Sequence, residues 1–194
     1  MNYLAHAYLS FNEPGIITGN LISDFVKGKK KFDYPLDIQK GITLHRAIDS
    51  FTDEHPATQQ AKIFFKPAYR LYAGAFVDIV YDHFLAGSLD KSFLKEFSSN
   101  VYLVLEERFY LLPERFQRLF PYMKNEDWLY NYRFKPMIEK SFWGLVRRAK
   151  YLESEAAAIE VFHQHYDHFK ICFDEFFPQL EQHATKIFYD LSGK

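Results

Sequence analysis

The chain has 194 residues, of which 48% are hydrophobic and 19% aromatic, and it carries a formal net charge of −1. Its length allows one domain with a sizeable core, its aromatic content argues against disorder, and its balanced charge argues against bulk nucleic-acid binding. The single cysteine, Cys172, rules out an internal disulfide, disfavours a cysteine-based zinc site and is typical of a reducing compartment.

The amino-terminal stretch does not resemble a signal peptide, because it lacks a basic region and contains His6 and Asn12. No apolar run approaches the roughly 20 residues that cross a bilayer. The sequence therefore predicts a soluble, cytoplasmic protein whose partners include neither a membrane nor a nucleic acid.

Apolar residues recur with helical spacing along nearly the whole chain, and glycines and prolines lie between the periodic segments. No alternation typical of strands is apparent. The pattern predicts one all-α domain over residues 1–194, a multi-helix bundle. The predicted helices cover 3–10, 16–26, 37–52, 57–65, 68–86, 91–110, 114–122, 137–152, 154–176 and 179–190.

The first two helices each carry an isolated polar group. His6 is the only charged or imidazole side chain between Met1 and Glu13, and Asp24 is the only charge in the stretch 15–26. Asn20 lies four residues before Asp24. A buried ionisable group requires a compensating partner, so we expect each of these two side chains to bind another polar group or an ion.

In the third helix, within GITLHRAIDSFTD (41–53), polar residues recur every fourth position. At 100° per residue, His45 and Asp49 fall in the same sector as Ile38 and Ile42 and therefore adjoin the apolar stripe. Asp53 lies near the end of the helix, where it is equally well explained as a capping or solvated acid.

The helix predicted over 68–86 is apolar around its whole axis, which indicates burial. From position 71 to 86 its only carboxylates are Asp78 and Asp82, and its only imidazole is His83. The two aspartates lie about 6 Å apart along the axis, and two such carboxylates in a low dielectric need a compensating charge. A divalent cation would supply it, and a mixed set of histidine and aspartate suits Mn, Fe, Zn or Ni.

Taken singly, each of these residues is more often a hydrogen-bonded core residue than a metal ligand. The metal hypothesis depends on four such helices occurring in the first half of the chain. If they converge, they form a polar cluster at the centre of the bundle, which is a usual place for such a site.

Four ordered blocks of the sequence are NYLAH (2–6), GNLISDFV (19–26), GITLHRAIDSFTD (41–53) and DIVYDHFL (78–85). Together they resemble the blocks of acyl carrier protein (ACP) phosphodiesterases, which are distant relatives of the HD phosphohydrolases. The resemblance covers roughly the first 90 residues. Residues 91–194 match only in length and in helical, aromatic character, and would complete the domain.

The resemblance implies an HD-phosphohydrolase-like fold and hydrolysis of the phosphodiester that joins 4′-phosphopantetheine to a serine of holo-ACP. The products would be apo-ACP and 4′-phosphopantetheine. The cofactor would be a divalent metal, most typically Mn²⁺, with Fe²⁺, Mg²⁺ or another divalent ion as alternatives. The family pattern carries over onto His6, Asp24, His45, Arg46, Asp49, Asp78, Asp82 and His83.

The sequence departs from the wider HD superfamily at the doublet that names it. An adjacent His-Asp pair is missing, and the chain has Asp82-His83 in the reverse order. The ligand set of that superfamily therefore does not transfer in register, and both one and two metal ions stay possible.

Roles follow from the chemistry that such a reaction requires. Asp78 or Asp49 would orient a ligand imidazole or accept a proton from water, and Arg46 would contact a phosphate oxygen, unless it forms a salt bridge with Asp49 or Asp53. The predicted metal ligands are His6, Asp24, His45, Asp82 and His83. The predicted catalytic residues are Asp24, Arg46, Asp49 and Asp78.

A basic segment, KGKKK (27–31), follows Asp24 closely. We predict that it steers the acidic ACP substrate to the site, the alternative being a solvated loop. The predicted partner-binding residues are Lys27, Lys29, Lys30 and Lys31. Arg147, Arg148 and Lys150 form a weaker basic candidate, and the histidines of FHQHYDHF (162–169) are better explained by surface or packing roles.

Two other functions use the same residues. One is an HD-like phosphohydrolase acting on a nucleotide or another small phosphoester, which needs the metal site but no surface for ACP. The other is a non-catalytic helical module that binds ACP, in which the histidines and aspartates are only structural.

Overall fold

A computed structural model describes residues 1–193, and in this range the chain is built from helices with no strand. The all-α prediction is confirmed, whereas the relationship to the HD phosphohydrolases stays a prediction. The α-helices are α1 (Tyr3–Tyr8), α2 (Pro14–Ile22), α3 (Leu36–Glu54), α4 (Pro56–Tyr69), α5 (Ala73–Ser88), α6 (Lys91–Glu107), α7 (Glu114–Asn125), α8 (Trp128–Asn131), α9 (Lys135–Arg148), α10 (Ala156–Gln164) and α11 (Tyr166–Ser192). Short 3₁₀-helices cover Ser23–Phe25, Gly28–Asp33, Arg70–Tyr72 and Phe109–Leu111.

Several helix ends differ from the sequence prediction. The second helix ends at Ile22 and a 3₁₀ turn carries Asp24, while the basic segment is itself a 3₁₀-helix. The last long helix runs through Pro178 without a break. A proline inside a helix costs about 3 kcal/mol, but Phe176, Phe177 and Leu180 are buried around it, and burial of these side chains outweighs that cost.

Helix α5 lies at the centre of the bundle and contacts α1, α4, α9 and α11. Residues from Phe76 to Ala86 are buried on most sides of this helix, as its apolar sequence predicts. Aromatic rings fill the space around it; Phe65 stacks on Phe76 with 5.3 Å between ring centroids and on Phe169 with 5.2 Å. None of the helices in the described part of the chain combines the length and apolar character that a membrane span requires.

Helices α2 and α3 approach each other backbone to backbone. A Cβ atom placed on Gly19 would lie 2.1 Å from the carbonyl oxygen of Ile38, and one placed on Gly41 would lie 2.4 Å from that of Ile16. Only glycine leaves room for such an approach. It brings the turn after α2 against the face of α3 that carries His45.

Candidate active site

Three side chains from α1 and α3 converge in one cluster. The Nε2 atom of His6 lies 3.2 Å from Oδ1 of Asp49, and Nε2 of His45 lies 2.9 Å from Oδ2 of the same carboxylate. The two imidazole rings stack with 3.9 Å between their centroids. One potential ligand atom from each of the three residues lies within 4.8 Å of the others, which is close enough for all three to bind one cation.

Asn20, on α2, fixes both histidines in place. Its backbone carbonyl accepts a hydrogen bond from Nδ1 of His45 at 2.8 Å, and its side-chain amide donates to the carbonyl of His6 at 2.8 Å. Because Nδ1 of His45 carries the donated proton, Nε2 is the atom presented to the carboxylates. The sequence predicted no site role for Asn20, although it lies only four residues before Asp24.

Asp24 forms the solvent edge of the cluster. Its Oδ1 lies 3.3 Å from Nε2 of His45, and its side chain is 75% exposed, whereas that of His45 is 6% exposed. The hydrogen bond with His45 lowers the pKa of Asp24. The cluster is therefore buried on its imidazole side and open to water on its carboxylate side.

The charges of the cluster depend on one another. Burial lowers the pKa of His45, but hydrogen bonds to Asp24 and Asp49 outweigh it and raise that pKa to about 9. Burial, with the neighbouring charge on His45, lowers the pKa of His6 to about 4. Burial raises the pKa of Asp49, but the adjoining imidazoles outweigh it and hold this pKa below its usual range. Without a cation, a proton on His45 thus supplies the positive charge between the carboxylates.

The residues of the cluster fit a divalent cation. Both ring nitrogens of His6 are buried, and within residues 1–193 neither has a hydrogen-bond partner, since the contact of Nε2 with Asp49 lacks hydrogen-bond geometry. Buried polar atoms are rarely left in this state. Imidazole nitrogens beside carboxylate oxygens are ligands that Mn, Fe, Zn and Ni accept.

Asp82 lies elsewhere, although the sequence predicted it as a metal ligand. It is fully buried, its Oδ2 accepts the amide of Leu4 at 2.7 Å, and its Oδ1 accepts those of Asn2 and Ala5 at 3.3 and 3.2 Å. Burial raises the pKa of Asp82 to about 7, while these amides oppose the shift. Both carboxylate oxygens accept hydrogen bonds from the amino-terminal amides of α1, so this carboxylate caps a helix.

His83 is likewise not brought to the cluster. Its Nδ1 lies 2.8 Å from the carbonyl oxygen of Tyr132, and its Nε2 lies 2.8 Å from the hydroxyl of Tyr166. One residue along a helix turns the side chain by about 100°, so His83 faces α8 and α11 while Asp82 faces α1. Tyr132 and Tyr166 belong to the second half of the chain, where the sequence offered no signal for them.

Asp78 reaches the cluster only indirectly. Its Oδ1 lies 3.0 Å from the α-amino nitrogen of Met1, which in turn lies 3.8 Å from Oδ1 of Asp49. Burial raises the pKa of Asp78, and the charge of the amino group opposes this rise. The contact suits a carboxylate that helps to seat the first residues of the chain.

Arg46 and the basic segment lie on the open side. The Nη2 atom of Arg46 donates to the carbonyl of Val26 at 3.3 Å, and within residues 1–193 this arginine has no ion pair with Asp49 or Asp53. Asp53 pairs instead with Lys62 at 2.8 Å. The three exposed lysines of the basic segment are Lys27, Lys29 and Lys30, and Lys31 is half-buried.

The sequence was compared with models of protein families, with curated proteins and with solved structures. A family model described as acyl carrier protein phosphodiesterase matches residues 1–180. Curated proteins named acyl carrier protein phosphodiesterase are similar to the chain: one from Photorhabdus laumondii is 34% identical over 98% of this chain and 99% of its own length. The protein from Yersinia pestis is 32% identical over 95% of this chain and 97% of its own length. The protein from Escherichia coli O6:H1 is 31% identical over 96% of this chain and 98% of its own length. No solved structure matches the chain.

Proposed function

Because the chain belongs to the acyl carrier protein phosphodiesterase family, we propose that it hydrolyses the phosphodiester between 4′-phosphopantetheine and a serine of holo-ACP. The products are apo-ACP and 4′-phosphopantetheine. The observation that supports this function most directly is the His6–His45–Asp49 cluster, which is buried on one side and opens to water at Asp24. The free, buried thiol of Cys172 suits a reaction in the cytoplasm.

A divalent cation, with Mn²⁺ as our first choice, would be held by His6, His45 and Asp49, with Asp24 completing the set. When bound, such a cation supplies Lewis acidity, which makes water a better nucleophile and neutralises charge on the phosphate. We leave Asp82 and His83, which the sequence also proposed as ligands, out of this set, because their side chains form hydrogen bonds elsewhere.

Asn20 and Arg46 would orient the groups that take part in the reaction. The carbonyl of Asn20 holds His45 in one tautomer, so its Nε2 keeps its direction toward Asp24 and Asp49. Arg46 follows His45 directly, is exposed, and has a planar guanidinium that can bind two phosphate oxygens. It would hold the phosphodiester with its non-bridging oxygens toward the cluster.

Asp24 is the carboxylate best placed to accept the proton of the attacking water. It is exposed and lies 3.3 Å from Nε2 of His45, at the edge of the cluster that is open to water. Asp78 would act by positioning the first residues of the chain, since its contact is with the α-amino group of Met1.

The basic segment begins three residues after Asp24 and would guide the carrier protein. Lys27, Lys29, Lys30 and Lys31 have no ion pair with a carboxylate among the residues that the structure describes. Unpaired positive charge at the edge of the site raises the encounter rate with an acidic partner.

The test is incubation of the purified protein with holo-ACP and Mn²⁺, followed by mass spectrometry of the carrier. We expect loss of the 4′-phosphopantetheine group in the wild type and a strong decrease in rate for Asp24→Asn. His163→Gln is the matched control, since His163 is exposed and pairs with Glu139 on the surface. Faster hydrolysis of nucleotides than of holo-ACP would favour a small-phosphoester hydrolase, and no hydrolysis of holo-ACP would contradict the proposal.

A further inference from the structure

The segment between Asp24 and Pro35 runs along α3 in the opposite direction. It starts beside the cluster, near the middle of α3, and ends next to the first residue of that helix. Hydrogen bonds fix its course from the middle of α3 back to the first turns of that helix. They join Asp24 to His45, Val26 to Arg46, Lys31 to Thr43 and Tyr34 to Gln39.

A groove lies at the far end of this segment. It has a volume of about 370 Å³ and separates the start of α3 from the 3₁₀ turn Phe109–Leu111. Pro35 and Ile38 line one side, and Tyr110 and Leu111 line the other. The groove thus opens on the same strip of surface as the basic segment.

Large apolar side chains project from this strip into solvent. Phe32 is 63% exposed, Leu36 is 68% exposed and Tyr110 is 79% exposed. Phe32 lies directly after the last lysine of the basic segment, and Leu36 and Tyr110 lie at the groove. Exposed apolar side chains gathered at one place are typical of an interaction surface.

The uncompensated charge of the strip is positive. Among the acids of the strip, Glu107 lies 3.8 Å from Arg108, while Asp33 and Asp37 are exposed and have no ion pair in residues 1–193. The four lysines of the basic segment also lack a carboxylate partner in this range, and they outnumber those two acids. A partner that is acidic and carries an exposed apolar side chain complements both features.

We infer that the acidic carrier protein docks on this strip, with its carboxylates on the lysines and an apolar side chain of one of its helices against the exposed Leu36 and Tyr110 at the edge of the groove. This inference rests on the proposed function. The scissile bond is attached to a serine of the carrier protein itself, so the carrier must lie against the edge of the cluster. Leu36 lies nine residues before His45, about 14 Å along α3, so a docked helix of about 10 residues that lies along α3, about 15 Å long, can reach both.

The experiment compares Leu36→Ser and Tyr110→Ser with Leu71→Ser and Tyr189→Ser. Leu71 and Tyr189 are exposed residues of the same types that do not line the groove. For each variant, kcat/KM for holo-carrier protein is divided by the rate on bis(p-nitrophenyl) phosphate, which removes differences in folding and metal content. We expect this ratio to fall about tenfold for each groove variant, through a higher KM, and to stay within about twofold for the controls.

A second measurement uses apo-carrier protein as a competitive inhibitor, and its inhibition constant should rise in the groove variants alone. If the wild type hydrolyses holo-carrier protein and the groove variants match their controls, the docking inference is wrong while the proposed function stands. If the wild type releases no 4′-phosphopantetheine, the proposed function itself has failed. A wild-type dimer that Leu36→Ser dissociates would also overturn the inference, because a second copy of the chain would then occupy the groove.

Discussion

Alanine at Gly41 tests the close approach of α2 and α3, on which the geometry of the cluster depends. The added Cβ atom would lie 2.4 Å from the carbonyl oxygen of Ile16 and 2.9 Å from both the amide nitrogen of Asn20 and the Cα atom of Gly19. These are backbone atoms, so no side chain can rotate away. We therefore expect the two helices to separate.

The size of the effect follows from these distances. Van der Waals contact needs about 3.5 Å, so the helices must move apart by about 1 Å. Overpacking of this kind costs up to about 3 kcal/mol, and the better helix propensity of alanine returns about 1 kcal/mol. The net loss of about 2 kcal/mol corresponds to a decrease in Tm of roughly 4–8 °C in a chain of this size.

The separation should also weaken metal binding. It would stretch the 2.8 Å hydrogen bond between Nδ1 of His45 and the carbonyl of Asn20 beyond hydrogen-bond distance. Loss of the bond that orients a ligand imidazole lowers metal affinity by about 10–100-fold. The assay is urea unfolding in the presence of chelator, together with Mn²⁺ titration by calorimetry.

Gly87→Ala is the matched control. Gly87 lies in α5, and no atom is within 4 Å of a Cβ placed there, so this substitution should stabilise the protein by about 0.5–1 kcal/mol and leave Mn²⁺ affinity unchanged. If Gly41→Ala is as stable as Gly87→Ala and binds Mn²⁺ like the wild type, the backbone contact between α2 and α3 is not as described.

Further predictions concern the metal and one helix cap. His45→Gln should lower Mn²⁺ affinity at least about tenfold in calorimetry, while His163→Gln should not; equal affinities would contradict the ligand role. Because the pKa of His45 is raised to about 9 and its proton must leave before a cation binds, Mn²⁺ affinity should rise about tenfold per pH unit between pH 6.5 and 9; a flat profile would refute this. The same proton stabilises the metal-free protein below pH 6.5, so its urea midpoint in chelator should fall as pH rises through 9. Asp82→Ala leaves the amides of Asn2, Leu4 and Ala5 without an acceptor and should cost about 2–4 kcal/mol, against a smaller loss for Asp90→Ala at the exposed cap of α6; similar losses would argue against the buried cap.

Local periodicity accounts for what the sequence could predict. Apolar spacing was enough to predict an all-α protein, because helices are specified mainly by residues within a few turns. The four-residue spacing of His45 and Asp49 requires them to share a face of α3, and in the structure they contact one another at 2.9 Å. Such short-range relations need no knowledge of which helices are neighbours.

Relations between helices could not be predicted in this way. The carboxylates in the apolar helix α5 indicated a need for compensation, but the sequence did not specify what supplies it. A cation and a set of backbone amides satisfy a carboxylate equally well, and the choice depends on where α1 lies. His83 forms hydrogen bonds with Tyr132 and Tyr166, which lie 49 and 83 positions away in the sequence, beyond the reach of any local pattern.

The two histidine–aspartate motifs therefore act on one site by different means. In the proposed function the motif on α3 would supply ligand atoms, whereas Asp82 on α5 binds the first amides of α1 and so helps to set the position of that helix. Helix α1 is only 6 residues long and would not be stable alone, so its place depends on this cap and on the hydrogen bond from Asn20. His6 lies on α1, two residues after Leu4. We therefore expect a change at Asp82 to alter the position of His6, and hence the affinity for the proposed cation, although Asp82 has no contact with the cluster among its hydrogen bonds.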